Sequence, residues 1–203
     1  MSRTMESAGN GEKKTVTEFR TVAREELTME LFSQFRRRQV VDGCLRQEQE
    51  QWVVKSDPFV DQWSREDYEF LIKCLKNTLE TGGVVFGAFS QGVLKGFASV
   101  EGKPVGSKGQ YRDLTSLHVS EELRGAGIGR RLFEMAALWA KAQGGKKLYI
   151  SSHSAVETQR FYQAMGCVDA KELLEEHVAR EPLDRQLELE LVLVHDTTGG
   201  ERL

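Results

Sequence analysis

The chain has 203 residues, 39% of them hydrophobic and 29% charged, and its formal net charge at pH 7 is −3. This composition is typical of a globular domain, and the weak negative charge gives no basic field for a nucleic-acid partner. No apolar run reaches the roughly 20 residues of a membrane span, and the polar N-terminus lacks the apolar core of a secretory signal. Three widely spaced cysteines favour neither a disulfide framework nor a zinc site, so we expect a cytoplasmic protein that binds no metal.

Two tails are predicted to flank one domain. Residues 1–16 carry Gly, Ser, Asn and Lys without periodicity, which predicts a flexible N-terminal tail, and residues 196–203 have a similar character. No internal repeat or change of composition lies between them. The sequence therefore predicts a single domain over residues 17–195.

The first predicted elements are a strand, a helix and a loop. Polar and apolar residues alternate over 17–23, which predicts a short strand. The apolar spacing of residues 30–41 predicts a helix, whose basic run Arg36–Arg38 we expect on its solvated face. Residues 42–62 are mixed in character and predict a long loop.

A second helix and a hairpin follow. Ser64 with Asp67 three residues later has the pattern of a capping box, and Gly82–Gly83 provide a stop, so a helix is predicted between them. Residues 84–89 and 93–100 flank a glycine-containing turn, which predicts a β-hairpin. The remaining predictions are a loop over 101–110, a strand over 111–119, a helix from Ile128 to a stop at 143–145, a strand over 147–151, a helix over 156–165, a strand beginning at 167–170 and a half-buried strand over 186–191.

This order of elements mixes a hairpin with strand–helix–strand crossovers. Crossovers require some parallel pairing, whereas hairpins pair antiparallel. We therefore expect an α/β (α+β) fold with a mixed sheet and helices packed on it.

The stretch Arg124–Arg130 (RGAGIGR) lies between a predicted strand and a predicted helix. The first N–H groups of a helix have no partner within the helix and lie at the positive end of its dipole. Glycines let the backbone turn sharply and let an anion approach closely. The stretch is therefore predicted to bind a diphosphate.

Three glycine-rich patterns compete for this stretch. A Walker loop needs a lysine and a hydroxyl residue after its last glycine, and neither is present. A dinucleotide fingerprint needs a third glycine where this chain has Arg130, and it belongs near the start of a βαβ unit. The third pattern, Arg/Gln-x-x-Gly-x-Gly/Ala, is present at Arg124–Gly129.

That pattern resembles the coenzyme A loop of the GNAT superfamily of N-acyltransferases. Two further stretches carry the resemblance, Leu117–Val119 (LHV) before the loop and Phe161–Cys167 (FYQAMGC) after it. The resemblance covers roughly residues 17–194 and also points to a bacterial branch whose members mostly lack an assigned substrate. It implies a mixed, mostly antiparallel central sheet of about six to seven strands with helices on both faces.

The resemblance implies acetyl-CoA as the cofactor. Many family members carry an asparagine where this chain has Ala155, and we expect Ser154 or Gln159 to replace that contact. The implied cofactor-binding residues are Leu117, His118, Val119, Arg124, Gly125, Ala126, Gly127, Ile128, Gly129, Arg130, Ser154, Gln159 and Tyr162.

The resemblance also implies the catalytic groups. Tyr162 is expected to protonate the leaving thiolate, and a backbone N–H near Leu117–Val119 is expected to stabilise the oxyanion. Asp113 is expected as the general base, because some members carry a glutamate there, and His118 and His153 remain alternatives.

The implied activity is transfer of an acetyl group to the amine of a small molecule or a peptide. A non-catalytic coenzyme A-binding sensor is the alternative, and a structural interaction module is a third class. The acceptor pocket is expected from residues 30–80 and from 170–185, where Glu172, Glu175, Glu176 and His177 cluster. A homodimer is expected by analogy with the family.

Overall fold

The computed structural model describes residues 16–194, so the predicted tails lie outside the described residues except at Val16. Nine strands, four α-helices and three short 3-10 helices lie within this range. In chain order they are β1 (Thr17–Thr21), a 3-10 helix (Arg24–Glu26), β2 (Arg38–Glu48), β3 (Gln51–Gln62), α1 (Arg65–Glu80), β4 (Val84–Ser90), β5 (Val93–Val100), β6 (Tyr111–Val119), a 3-10 helix (Glu121–Leu123), α2 (Ile128–Ala142), β7 (Lys147–Ser152), α3 (Val156–Ala164), β8 (Val168–Asp169), α4 (Glu175–Arg180), β9 (Arg185–Glu190) and a 3-10 helix (Leu191–Leu193).

Seven strands form one mixed sheet in the order β1-β4-β5-β6-β7-β9-β8. Only β6 and β7 pair in parallel among these neighbours, and α2 makes the crossover between them. The prediction of a mixed, mostly antiparallel sheet of about six to seven strands is confirmed.

Helices cover both faces of this sheet, as predicted. Alternate residues of β4 point to opposite faces, so Val84 and Phe86 pack with Leu132 of α2 whereas Val85 packs with Leu75 of α1. The capping box of α1 is also confirmed, because Ser64 Oγ accepts from the N–H of Asp67 at 3.2 Å and the Asp67 carboxylate accepts from the N–H of Ser64 at 2.7 Å.

The predicted helix over 30–41 and the loop over 42–62 are wrong. Residues 29–34 form turns, and β2 and β3 then pair as a separate two-stranded sheet. The apolar spacing covers a single turn, in which Phe32 and Phe35 join the core beneath α1. The chain then continues in an extended conformation. Two hydrogen bonds hold it there, because the N–H of Arg36 donates to Ser120 Oγ and the carbonyl of Arg37 accepts from the N–H of Trp63.

The turn of this hairpin lacks the usual sequence signal. Gln49 and Glu50 adopt φ values of 46° and 66°, where glycine or asparagine is the usual signal. The hairpin also packs on the residues that precede α3. The N–H of Leu45 donates to the Ser154 carbonyl at 2.8 Å, and Cys44 forms an isolated antiparallel β-bridge with Ala155. A tertiary contact therefore stabilises strands that carry weak local signals.

Candidate active site

β6 and β7 part in the middle of the sheet. They pair only from Tyr111 to Asp113 on β6 and from Lys147 to Tyr149 on β7, and a bulge in β6 follows near Thr115. Residues 114–119 consequently have no strand partner on the β7 side in the part of the chain that the structure describes. A cavity of about 400 Å³, the strand cavity, opens at this gap. Its lining is Arg37, Gln39, Leu114, Thr115, Ser116, Leu117, His118, Val119, Arg124, Ser151, Ser152, His153, Thr158, Tyr162, Glu181 and Asp184.

A second cavity of about 440 Å³, the loop cavity, lies against the glycine-rich turn. Gly125, Gly127, Gly129 and Arg130 line it, together with apolar residues of α3 that include Phe161. The loop cavity shares six lining residues with the strand cavity, which are Gln39, Leu117, Val119, Arg124, Thr158 and Tyr162. The two cavities therefore meet along the end of β6 and the wall formed by α3.

The glycine-rich turn has the geometry of an anion site. Gly125 and Gly127 adopt φ values of 78° and 83°, and no atom lies within 4 Å of a Cβ built on either. Backbone conformation therefore requires glycine there, and the space beside the turn is open. The N–H groups of Ile128, Gly129 and Arg130 donate to no acceptor within residues 16–194, as expected for the first turn of α2. Their free N–H groups lie where the diphosphate was predicted.

Two of the predicted turn residues do not line either cavity by their side chains. The side chain of Ile128 is buried in the core beneath α2, and Ala126 is exposed. Arg124 lines both cavities, and its Nε donates to the Val119 carbonyl at 3.2 Å. Ile128 therefore offers only a backbone N–H to a ligand at the turn.

Tyr162 lies at the junction of the two cavities. Its side chain projects from α3, and the residue is 7% exposed. Its hydroxyl has no hydrogen-bond partner among the residues that the structure describes, and the residue lines both cavities. Burial raises the pKa of Tyr162, and the nearby Cys167 and Asp184 raise it further. The hydroxyl therefore keeps its proton at neutral pH and is free to donate it.

His118 also lines the strand cavity, but it points to the face of the sheet opposite to Leu117 and Val119. Its imidazole packs on Trp63 at 4.7 Å and on Phe97 at 5.2 Å between ring centroids. Burial, with Arg37 and Arg124 nearby, lowers the pKa of His118 to about 3. The ring is neutral at neutral pH and too weak a base to take a proton from an ammonium group.

The structure does not bring Asp113 to either cavity. The residue is 6% exposed, and its carboxylate lies 2.8 Å from Nε2 of His177 on α4. This hydrogen bond raises the pKa of His177. Asp113 lies in the paired part of β6, before the strand parts from β7. Asp113 therefore pairs with His177 outside both cavities.

Ser154 and Gln159 are likewise absent from both cavity linings. Ser154 Oγ accepts from Arg46 at 2.6 Å, and Gln159 Nε2 donates to the His153 carbonyl at 2.8 Å. Ala155 is fully buried under the β2–β3 hairpin, in a small cluster with Cys44. The hairpin therefore fills the space around Ala155, and Ser154 and Gln159 hold the turn before α3.

Asp184, Glu181 and His153 line the strand cavity on the β7 side. Burial raises the pKa of Asp184, while His153 and a hydrogen bond from Ser151 Oγ at 3.2 Å oppose that shift. The segment 170–185 was predicted to contribute, but through other residues. Glu172 lines neither cavity and instead accepts hydrogen bonds from the N–H and the hydroxyl of Ser107. Asp184 was not among the residues predicted from the sequence.

Residues 16–194 contain neither a cluster of metal-ligating side chains nor a membrane-spanning helix. No group of three or more His, Cys, Asp or Glu side chains is arranged to hold a metal ion. No helix in this range has the length and apolar character needed to cross a membrane.

The fold is similar to that of several solved acetyltransferase structures. The chain resembles the nourseothricin acetyltransferase structure at 16% identity, with 86% of this chain and 96% of that chain covered and a TM-score of 0.60. A proposed streptothricin acetyltransferase from Bacillus anthracis strain Ames, in complex with acetyl coenzyme A, shares 14% identity over 86% and 99% of the two chains, with a TM-score of 0.64. The PaiA N-acetyltransferase from Thermoplasma acidophilum, in complex with coenzyme A, shares 15% identity over 86% and 99%, with a TM-score of 0.53.

Sequence comparison points the same way. No curated protein matches the chain. The model of the Acetyltransferase (GNAT) family matches residues 46–167, which is more than half of the chain and includes the glycine-rich turn and Tyr162. The chain therefore belongs to the GNAT family of acetyltransferases.

Proposed function

We propose that this protein transfers an acetyl group from acetyl-CoA to a primary amine of a small molecule or peptide, by direct attack in a ternary complex. The observation that carries this proposal is that Tyr162, whose hydroxyl has no hydrogen-bond partner among the described residues, lines both of two adjoining cavities. One cavity lies against the glycine-rich turn and the other contains acidic side chains. A donor and an acceptor entering by separate routes would thus meet at one proton donor.

The residues of the loop cavity fit a diphosphate. The free N–H groups of Ile128, Gly129 and Arg130 converge at the positive end of α2, and Arg124 and Arg130 add charge beside them. The unpaired edge of β6 at Leu117–Val119 offers backbone groups to the amides of a pantetheine arm, as a partner strand would. Bound acetyl-CoA would supply the acetyl group as a thioester.

Tyr162 is the proposed general acid. Its raised pKa keeps the hydroxyl protonated at neutral pH, and it has no competing acceptor among the described residues. The proton would pass to the departing thiolate sulfur. A backbone N–H on the free edge of β6 near Leu117–Val119 is the proposed oxyanion donor.

Asp184 is the proposed general base, in place of Asp113. It lines the strand cavity near Tyr162, and burial raises its pKa, which makes it a stronger base than an exposed aspartate. Asp113 is instead proposed as a positioning residue, because its bond to His177 supports α4, which directly precedes Glu181 and Asp184.

Mass spectrometry of acceptors tests this activity. The protein is incubated with isotope-labelled acetyl-CoA and a panel of primary amines, including amino acids, polyamines, aminoglycosides and peptide N-termini. We expect label on at least one amine, at a rate that depends on the protein. Absence of label from every amine, with acetyl-CoA bound, would favour a coenzyme A-binding sensor instead.

A further inference from the structure

Arg37 is a buried guanidinium with unused hydrogen-bond donors. It lines the strand cavity, and its side chain is 9% exposed, although the sequence predicted a solvated position. Nη2 donates to the Asp61 carboxylate, but Nε and Nη1 are buried without an acceptor in residues 16–194. The guanidinium also lies 5.4 Å from the centroid of the Trp63 ring, which holds its plane in place. Buried donors without partners are costly, so a ligand is expected to supply the missing acceptor.

This acceptor is not the diphosphate at the glycine-rich turn. Arg37 lines only the strand cavity, whereas Arg124 lines both cavities. Arg37 and Arg124 therefore place two guanidinium groups on one wall of the strand cavity, the first of them paired with Asp61. An anion entering the strand cavity would meet this wall.

The part of the cavity next to β7 carries acidic side chains. Asp184 and Glu181 line the strand cavity next to the end of β7, where Ser151 bonds Asp184. Tyr162 lines the same cavity as these two carboxylates. The cavity thus has an acidic wall, suited to an ammonium group, and a basic wall, suited to an anion.

We propose that the acceptor carries an anionic group, a carboxylate or a phosphate, in addition to its reacting amine, and that Arg37 binds this anion. The proposal rests on the proposed acetyl transfer and names the class of acceptor. A guanidinium binds either anion through charge-assisted hydrogen bonds, and Nε and Nη1 are the donors that the pairing with Asp61 leaves over.

The size of the strand cavity agrees with a compact acceptor. Its volume of about 400 Å³ lies near the lower end of the roughly 300–1,000 Å³ range of ligand sites. The thioester end of the cofactor must occupy part of this space. An acceptor of amino-acid size therefore fits the remaining volume.

Binding of reaction products tests the proposal without requiring turnover. In the presence of coenzyme A, the melting temperature is measured with N-acetyl amino acids and with their carboxamides, which lack only the charge. N-acetyl-O-phosphoethanolamine and N-acetylethanolamine form the matching phosphate pair. We expect one acid to bind wild type roughly tenfold to a hundredfold more tightly than its neutral partner. If the N-acetyl amino acid pair shows this preference, the anion of the acceptor is a carboxylate; if the phosphoethanolamine pair shows it, the anion is a phosphate.

Two variants connect the preference to the guanidinium. Arg37→Met should abolish the preference for the anion, while coenzyme A alone still raises the melting temperature. Asp61→Asn removes the same ion pair but keeps the guanidinium, so the preference should persist or increase. Equal binding of charged and neutral partners, a preference that survives Arg37→Met, or no binding by any probe would each overturn the proposal. Acetylation of an amine without an anionic group would leave the proposed activity standing even then.

Discussion

The carboxylate of Asp113 on β6 lies 2.8 Å from Nε2 of His177 on α4, and both side chains are largely buried. This pair ties the sheet to the helix that precedes Glu181 and Asp184. The pair lies outside both cavities. The ring centroids of His177 and Tyr149 are 5.4 Å apart. The pair therefore connects the stability of the fold to the position of the acidic cavity wall.

The pair predicts a pH-dependent contribution to stability. The bond to Asp113 raises the folded-state pKa of His177 above its ordinary value of 6.5. Its contribution is therefore complete below that ordinary value and is lost as pH rises through the folded value. We expect His177→Gln to lower the free energy of unfolding by about 1–2 kcal/mol near pH 6 and by less near pH 9, measured by urea unfolding. Arg65→Gln, which removes an exposed pair with Glu69, should change little at either pH. A difference independent of pH would contradict the assignment.

Replacing Gly127 should remove cofactor binding. Valine at φ 83° is strained by about 1–2 kcal/mol, and its side chain would enter the open space where a diphosphate approaches. Acetyl-CoA should raise the melting temperature of wild type but not of Gly127→Val. Gly144→Val is the matched control, since Gly144 has φ 77° and equally open surroundings at the other end of α2. If both variants respond to acetyl-CoA, the turn does not bind the cofactor.

Tyr162→Phe should slow turnover without weakening cofactor binding. Loss of a general acid typically costs about 100-fold or more in kcat, whereas the phenyl ring preserves the packing against Phe133. Tyr111→Phe is the control, because its buried hydroxyl bonds Glu188 outside both cavities. That variant should be less stable and fully active. Equal turnover by wild type and Tyr162→Phe would exclude the hydroxyl from the reaction.

The pH profile should identify Asp184. Because burial raises the pKa of Asp184, kcat/KM should increase with pH through a value above its ordinary 3.8 and then level off. Asp184→Asn should lower kcat/KM by about 100-fold and abolish this limb of the profile. Asp169→Asn, at an exposed pair with Arg185, should leave the profile unchanged. A wild-type limb retained by Asp184→Asn would assign the base to another residue.

Local patterns in the sequence predict most of the fold and the glycine-rich turn of the candidate site. The glycines of the turn, the start of α2 and the capping box at Ser64 depend on neighbours a few residues away. Their physical signals are therefore contained in short windows. The same is true of the β4–β5 hairpin, with its turn at Gly92.

The acceptor side depends on contacts that no short window contains. Arg37 was expected on a helix face, but Asp61 and Trp63 in the β2–β3 hairpin bury it. Asp184 reaches the cavity because β9 pairs beside β7, where Ser151 is available. In β9, Glu188 breaks the expected alternation and is buried, since Lys147 and Tyr111 satisfy its carboxylate. Long-range pairing thus decided which charged residues line the site.

Thiol-detected release of coenzyme A tests the central claim most directly. Wild-type protein is given acetyl-CoA with and without each amine of the panel, and the free thiol is followed with time. We predict release that requires an amine and that Tyr162→Phe slows by about 100-fold. Release that needs no amine, or bound acetyl-CoA with no release for any amine, would contradict acetyl transfer in a ternary complex.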